Sequence, residues 1–206
     1  MIRHMVCTVV LVALLGVPVP GQTRLDRVMA RVGTESLFET DVKAALGLGM
    51  VELTGSLDPQ TAALEQLIDR QLMLTEILRS VSPEPDAAAI DEEVQRMRSY
   101  AAGTLKSVMA TNGIDDVFLR RAARDTLRIQ LYLDTRFPEL AVSDAEAQQY
   151  YNNNQSAFSR NGVLMTFDQA AGAAREQASR DRRDARIRQW LEGLRRRTEI
   201  TRPTAR

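Results

Sequence analysis

The sequence predicts a mainly α-helical protein with one small β element, and three observations carry that expectation. Apolar residues recur every three or four positions along most of the chain, and helix N-cap residues precede those runs. Strand-like alternation is confined to a short stretch near residue 30 and another near residue 200. Of the 206 residues 44% are apolar but only 5% aromatic, and Leu, Ala, Val and Met, which pack between helices, carry the apolar content.

The first 21 residues read as an export signal. Arg3 makes the n-region basic, an apolar run extends from about Val6 to Leu15, and Val17-Pro18-Val19-Pro20-Gly21 sets up cleavage after Gly21. The run is shorter than the roughly 20 residues of a membrane span, so no stable membrane insertion is expected after cleavage; an uncleaved anchor is the alternative. His4 and Cys7, the only histidine and the only cysteine, both lie in this segment. Their removal would exclude a histidine general base, a thiol nucleophile, a Cys/His zinc site and any disulfide. No catalytic residue, metal or cofactor is expected.

Leu25 to Phe38 reads as a hairpin, with Val28, Ala30 and Val32 alternating against Met29 and Arg31 before a turn at Gly33-Thr34-Glu35. A strand from Thr198 to Thr201 is expected to join it and bring the two ends together, because a two-stranded ribbon alone is marginal. Asp58 and Pro59 open a helix to Ser80 with Leu64, Leu67, Ile68, Leu72, Thr75 and Leu78 on one face. Ser82-Pro83-Glu84-Pro85 breaks the chain, and Ile90, Val94, Met97 and Ala101 then mark the next helix. Gly103 interrupts it, and a short helix from about Thr104 to Ala110 is expected to end at Asn112-Gly113. Asp115 to Arg136 follows, with an apolar arc broad enough to touch more than one neighbour.

Ser143-Asp144-Ala145-Glu146 and Thr166-Phe167-Asp168-Gln169 are capping boxes heading two further helices. The second would run from Phe167 to about Arg197, roughly 45 Å. Its charged middle, Arg180-Asp181-Arg182-Arg183-Asp184, cannot be a core face, so the helix is expected to cross solvent or bend there. Between the two boxes, Asn152 to Gly162, rich in Asn and Ser, reads as linker.

Charge is balanced overall at 27 basic and 27 acidic residues but divided along the chain. Gln22 to Ser159 holds 14 basic and 21 acidic residues; Arg160 to Arg206 holds 12 basic and 6 acidic. The basic C-terminal helix is expected to dock on the acidic N-terminal lobe, and no nucleic-acid partner is expected, because acidic residues are interleaved with the arginines. Glu92-Glu93 and Asp115-Asp116 are the nearest approach to paired carboxylates, and adjacent residues on a helix point about 100° apart. Nothing matches a phosphate loop, a nucleophile elbow or a dinucleotide fingerprint.

The order of elements resembles the SurA-type periplasmic chaperones. Val28, Val32, Leu37 and Asp41 match the family's hairpin pattern, and Leu67, Ile68, Asp69 and Leu72 its "LID..L" helix. Val142, Ser143, Asp144, Glu146, Tyr150, Tyr151, Asn154 and Phe158 are similar to the run that precedes the family's parvulin prolyl isomerase domain. RIRQWLEGLRRRTEI is similar to its C-terminal helix and strand. The resemblance spans about Leu25 to Ile200. It departs where the family inserts parvulin domains, since only Ser159 to Thr166 stand there.

The resemblance implies a helical chaperone domain over residues 22–158, a linker over 159–166, and a long helix with a strand over 167–206 completing the domain. It implies a periplasmic, ATP-independent holdase whose partners are unfolded or nascent exported polypeptides, including outer-membrane proteins. Two other functions stand beside it: a non-catalytic adaptor for one defined partner, and a prolyl isomerase, which the missing domain and histidines argue against. Methionine surfaces adapt to varied ligands. Met50, Leu53, Met97, Tyr100 and Met109 are therefore the expected wall of a client cleft between the final helix and the N-terminal lobe, with ordinary core as their other role.

Overall fold

The computed structural model describes residues 26–53, 55, 58–80, 82–160 and 162–203. The expected signal segment, with His4 and Cys7, lies outside them. Strands β1 (Val28–Val32) and β2 (Glu35–Phe38) form the expected hairpin, and strand β5 (Ile200–Thr201) pairs with β1 in the order β2-β1-β5. Both pairings are antiparallel, with Val32 opposite Ile200, and the Gly33 N–H donates to the Glu199 carbonyl at 2.9 Å. The two ends of the described chain therefore meet in one sheet.

Among the described residues seven helices make the fold mainly α: α1 (Glu39–Gly47), α2 (Pro59–Ile77), α3 (Ala87–Tyr100), α4 (Leu105–Asn112), α5 (Asp116–Arg136), α6 (Asp144–Asn153) and α7 (Phe167–Arg197). The local chemistry that starts them is visible. Asp58, Asp86 and Asp115 each accept a hydrogen bond from the backbone N–H three residues on, satisfying a donor the first turn leaves open. Ser143 and Glu146 form a reciprocal box at α6. At α7 the Gln169 side chain accepts from the Thr166 N–H at 3.0 Å. Gly113, in the left-handed region at φ 63°, closes α4.

Three apolar clusters hold these elements. The first joins the sheet to α1, α2 and Leu194 of α7, through Ala30, Val32, Val42, Leu67, Ile68 and Leu72. The second packs α1 against α3 and α5 through Leu48, Ile90, Val94, Met97 and Leu119. Helix α1 serves both, since Val42 and Ala45 face the first cluster while Ala44 and Leu48 face the second. A third, smaller cluster of Ala147, Tyr151, Phe158, Ala170 and Ala174 joins α6 to the first half of α7.

Two expectations need correction. The stretch expected as a linker is ordered: Asn152 and Asn153 end α6, Gln155–Phe158 form a 3-10 turn, and β3 (Ser159–Arg160) pairs with β4 (Val163–Leu164), fastened by the Met165 N–H to the Phe158 carbonyl at 3.0 Å. Helix α7, about 46 Å long at 31 residues, neither breaks nor leaves the protein at its charged middle. Ser179 is buried and donates to the Leu140 carbonyl at 2.9 Å; Arg183 donates to the Phe137 carbonyl at 2.7 Å and to Asp134 at 2.6 Å. Arg182 reaches Glu146 at 2.6 Å, and Tyr150 donates to Asp181 at 2.7 Å. The charges make an ionic seam between the middle of α7 and the α5–α6 region.

Candidate functional site

Helix α2 turns Leu64, Leu67, Ile68 and Leu72 inward, which leaves Gln66, Asp69, Arg70 and Met73 on the rows beside that stripe. Helix α5 does the same, presenting Thr126, Ile129, Gln130 and Leu133 towards α2. Helix α7 adds Arg183 and Leu191. Met50 and Val51, just past α1, close the remaining side. The enclosed space is an open groove of about 540 Å³, within the range of ligand-binding sites.

Its charged groups are already engaged. Asp69 accepts from Arg195 Nε at 2.6 Å, and Asp134 accepts from Arg183 at 2.6 Å. The hydrogen bond to Asp69, reinforced by Glu65, holds the Arg195 guanidinium more firmly protonated than usual. Arg70 donates to the Ala122 carbonyl at 2.8 Å; burial weakens its hold on its proton, and Asp125 and Glu93 oppose that effect. What the groove offers a ligand is consequently the apolar surface of Met50, Met73, Ile129, Leu133 and Leu191, with the exposed amide of Gln130 beside it.

Behind Arg70 lies a smaller cavity of about 120 Å³, which shares Met50, Leu67 and Arg70 with the groove and adds Leu37, Asp41, Phe118, Arg121 and Asp125. Burial raises the pKa of both Asp41 and Asp125. For Asp41 the opposing effect is the Phe38 N–H, which it accepts at 2.8 Å. For Asp125 it is Arg70, Arg121, Arg128 and Arg124.

Of the five residues expected to wall a cleft, only Met50 lines the groove. Met97 is 0% exposed at the centre of the second cluster, and Met109 packs against the same cluster half-buried. Both are held by helices that do not border the groove. Tyr100 is 65% exposed, but its ring lies over Gly49, so close that a Cβ there would come within 2.6 Å of it. Leu53 is 56% exposed and outside the groove's lining. The residues missed, Met73, Ile129, Leu133 and Leu191, lie on three different helices, with Ile129 itself buried in the core. A lone sequence gives the stripes but not which flanks converge.

No family model and no curated protein matches the chain. Among the described residues, no group of three or more His, Cys, Asp or Glu is placed to hold a metal ion, and no helix is long and apolar enough to cross a membrane.

Proposed function

We propose that this protein is an exported, ATP-independent holdase of the SurA type, which binds apolar segments of unfolded proteins outside the cytoplasm and performs no covalent step. The observation that carries this reading is the open groove between α2, α5 and α7, whose bare surface is apolar and whose carboxylates are already paired. Such a groove sorts ligands by apolar content, as a holdase must.

The magnitudes suit that task. Two or three apolar side chains entering about 540 Å³ gain roughly 2 kcal/mol each. Ordering the bound segment takes back much of that gain. What is left supports weak, reversible binding that a client's own folding can overcome. Methionines at positions 50 and 73 let the wall adjust to different side chains. The chain's only histidine, His4, lies in the expected signal, which argues against the family's isomerase chemistry.

The test is dilution of a denatured outer-membrane porin into buffer with and without the protein, followed by light scattering. Suppression of aggregation at several-fold excess is expected, and Met73→Asp, which puts a charge in the groove, should abolish most of it while the protein stays folded. Aggregation unaffected by the wild type would end the holdase reading.

A further inference from the structure

Arg121, Arg124 and Arg128 stand on one face of α5 at spacings of three and four. That face borders a crevice of about 600 Å³, whose other wall is the C-terminal end of α2 with Leu74, Leu78 and Arg79. Its lining holds four arginines and two carboxylates, Glu35 and Asp125.

Two of the four are occupied. Arg128 pairs with Glu84 and lies 3.7 Å from Asp125, and Arg79 reaches Glu76 at 4.0 Å. Among the described residues no carboxylate lies within 4.0 Å of Arg121 or Arg124, and both are exposed. Asp125 is shared by Arg70, Arg121, Arg124 and Arg128; Asp41 also faces Arg121 and Glu84 faces Arg124, but neither comes within ion-pair distance of these two exposed guanidinium groups.

The surroundings specify more than a bare anion. Leu78, 72% exposed, and Leu74 put apolar surface in the same crevice, and Thr34 and Glu35 bring the edge of β2 to it. The smaller cavity links crevice and groove: it shares Leu74, Arg121 and Asp125 with the first, and Met50, Leu67 and Arg70 with the second. A ligand that is apolar at one end and anionic at the other fits that sequence of surfaces, and a polypeptide segment has the length to reach both.

We infer that the crevice is a second client subsite, taking the carboxylate side chains of an acidic stretch next to the apolar segment in the groove. The inference rests on the holdase reading above. It makes the protein prefer clients whose apolar runs are flanked by Asp or Glu.

Two fluorescently labelled peptides test it, with one Leu/Ala segment extended by Glu residues in the first and by Gln in the second. Anisotropy titrations should show the Glu peptide binding about five- to tenfold tighter at low salt, with the preference lost near 0.5 M salt. The double variant Arg121→Gln, Arg124→Gln, at two exposed positions, should erase the preference and leave the Gln peptide's affinity unchanged. Equal affinities, no binding of the Glu peptide, or a preference that survives the double variant would overturn the inference. So would retention on anionic phospholipid vesicles without a Glu preference, which would assign these arginines to a membrane surface. Porin aggregation suppressed without a Glu preference removes the subsite and leaves the holdase; a Glu preference without suppression does the reverse.

Discussion

Arg195 near the end of α7 places its Nε 2.6 Å from the carboxylate of Asp69 in α2, a residue 126 positions away. Its Nη1 reaches Glu65 at 3.0 Å and Nη2 the Glu65 carbonyl at 3.3 Å, so one guanidinium fork spans a full turn of α2. Arg197 to Glu76 at 3.3 Å and Arg202 to Glu65 at 2.5 Å extend the contact. The basic end of the chain thus docks on acidic residues of the N-terminal lobe, as the uneven charge predicts. Arg195→Met, which keeps most of the stem, should cost about 1–2 kcal/mol. Denaturant unfolding checks the loss, and Asp69→Arg combined with Arg195→Asp should recover part of it.

A second fastening is aromatic. Trp190, the only tryptophan, stacks against Phe137 at 5.4 Å and Tyr132 at 5.7 Å between ring centres, with the guanidinium of Arg136 5.9 Å from its ring. Phe137 is 7% exposed, so Phe137→Ala should destabilise the protein by about 3–5 kcal/mol. The indole Nε1 is buried with no acceptor among the described residues. Water entering the new cavity would hydrate it, and the fluorescence maximum should move to the red.

Glu146 links α6 to α7 and sets a pH dependence. The Ser143 N–H and hydroxyl, each at 2.8 Å, and then Arg182 at 2.6 Å, hold its pKa at about 2, down from 4.5. A depressed folded pKa means that the unfolded chain takes up the proton first. The stabilisation is therefore complete above about pH 4.5 and disappears as the pH falls towards 2. The melting temperature of Glu146→Gln should lie below that of the wild type at neutral pH and converge with it near pH 2.

The elements legible in the sequence are those whose signal is local. Asp58, Asp115 and Ser143 each lie within three residues of the N–H they cap, so reading them requires no tertiary knowledge. Helix α1 escaped because Phe38 occupies its N-cap position and the stabilising carboxylate, Asp41, reaches back from inside the helix. Its apolar residues also divide between two clusters, which blurs any single stripe. The middle of α7 is not legible from periodicity, which counts apolar contacts, whereas Arg183 docks through its bonds to Phe137 and Asp134. The groove was hardest, because it depends on which flanks of α2, α5 and α7 meet.

Gly49 combines two constraints. Its φ of 63° is unfavourable for any residue with a Cβ, and the Tyr100 ring fills the place where that Cβ would go. Tyr100 is largely exposed and can swing away, so the steric part is relievable and the backbone part is not. Gly49→Ala should cost about 1–2 kcal/mol. Made together with Tyr100→Ala it should lose only the backbone share, about 1 kcal/mol. Equal costs in both backgrounds would mean that the ring is not in the way.

Met50 and Met97 separate groove from core most sharply. Both are methionines in the N-terminal lobe, yet Met97 is enclosed by the second cluster whereas Met50 packs half-buried against two clusters and lines the groove. Met97→Ala leaves a cavity the surrounding helices cannot fully close and should destabilise the fold by about 2–5 kcal/mol. On the proposed holdase function, the fraction that remains folded should hold clients as well as the wild type does, since its groove is intact. Met50→Ala removes a flexible side chain from the groove wall. It should cost less stability than Met97→Ala but weaken porin holding in aggregation assays scaled to the folded fraction. The comparison turns on that scaling: if Met97→Ala impairs holding per folded molecule as much as Met50→Ala does, the groove is not the client surface.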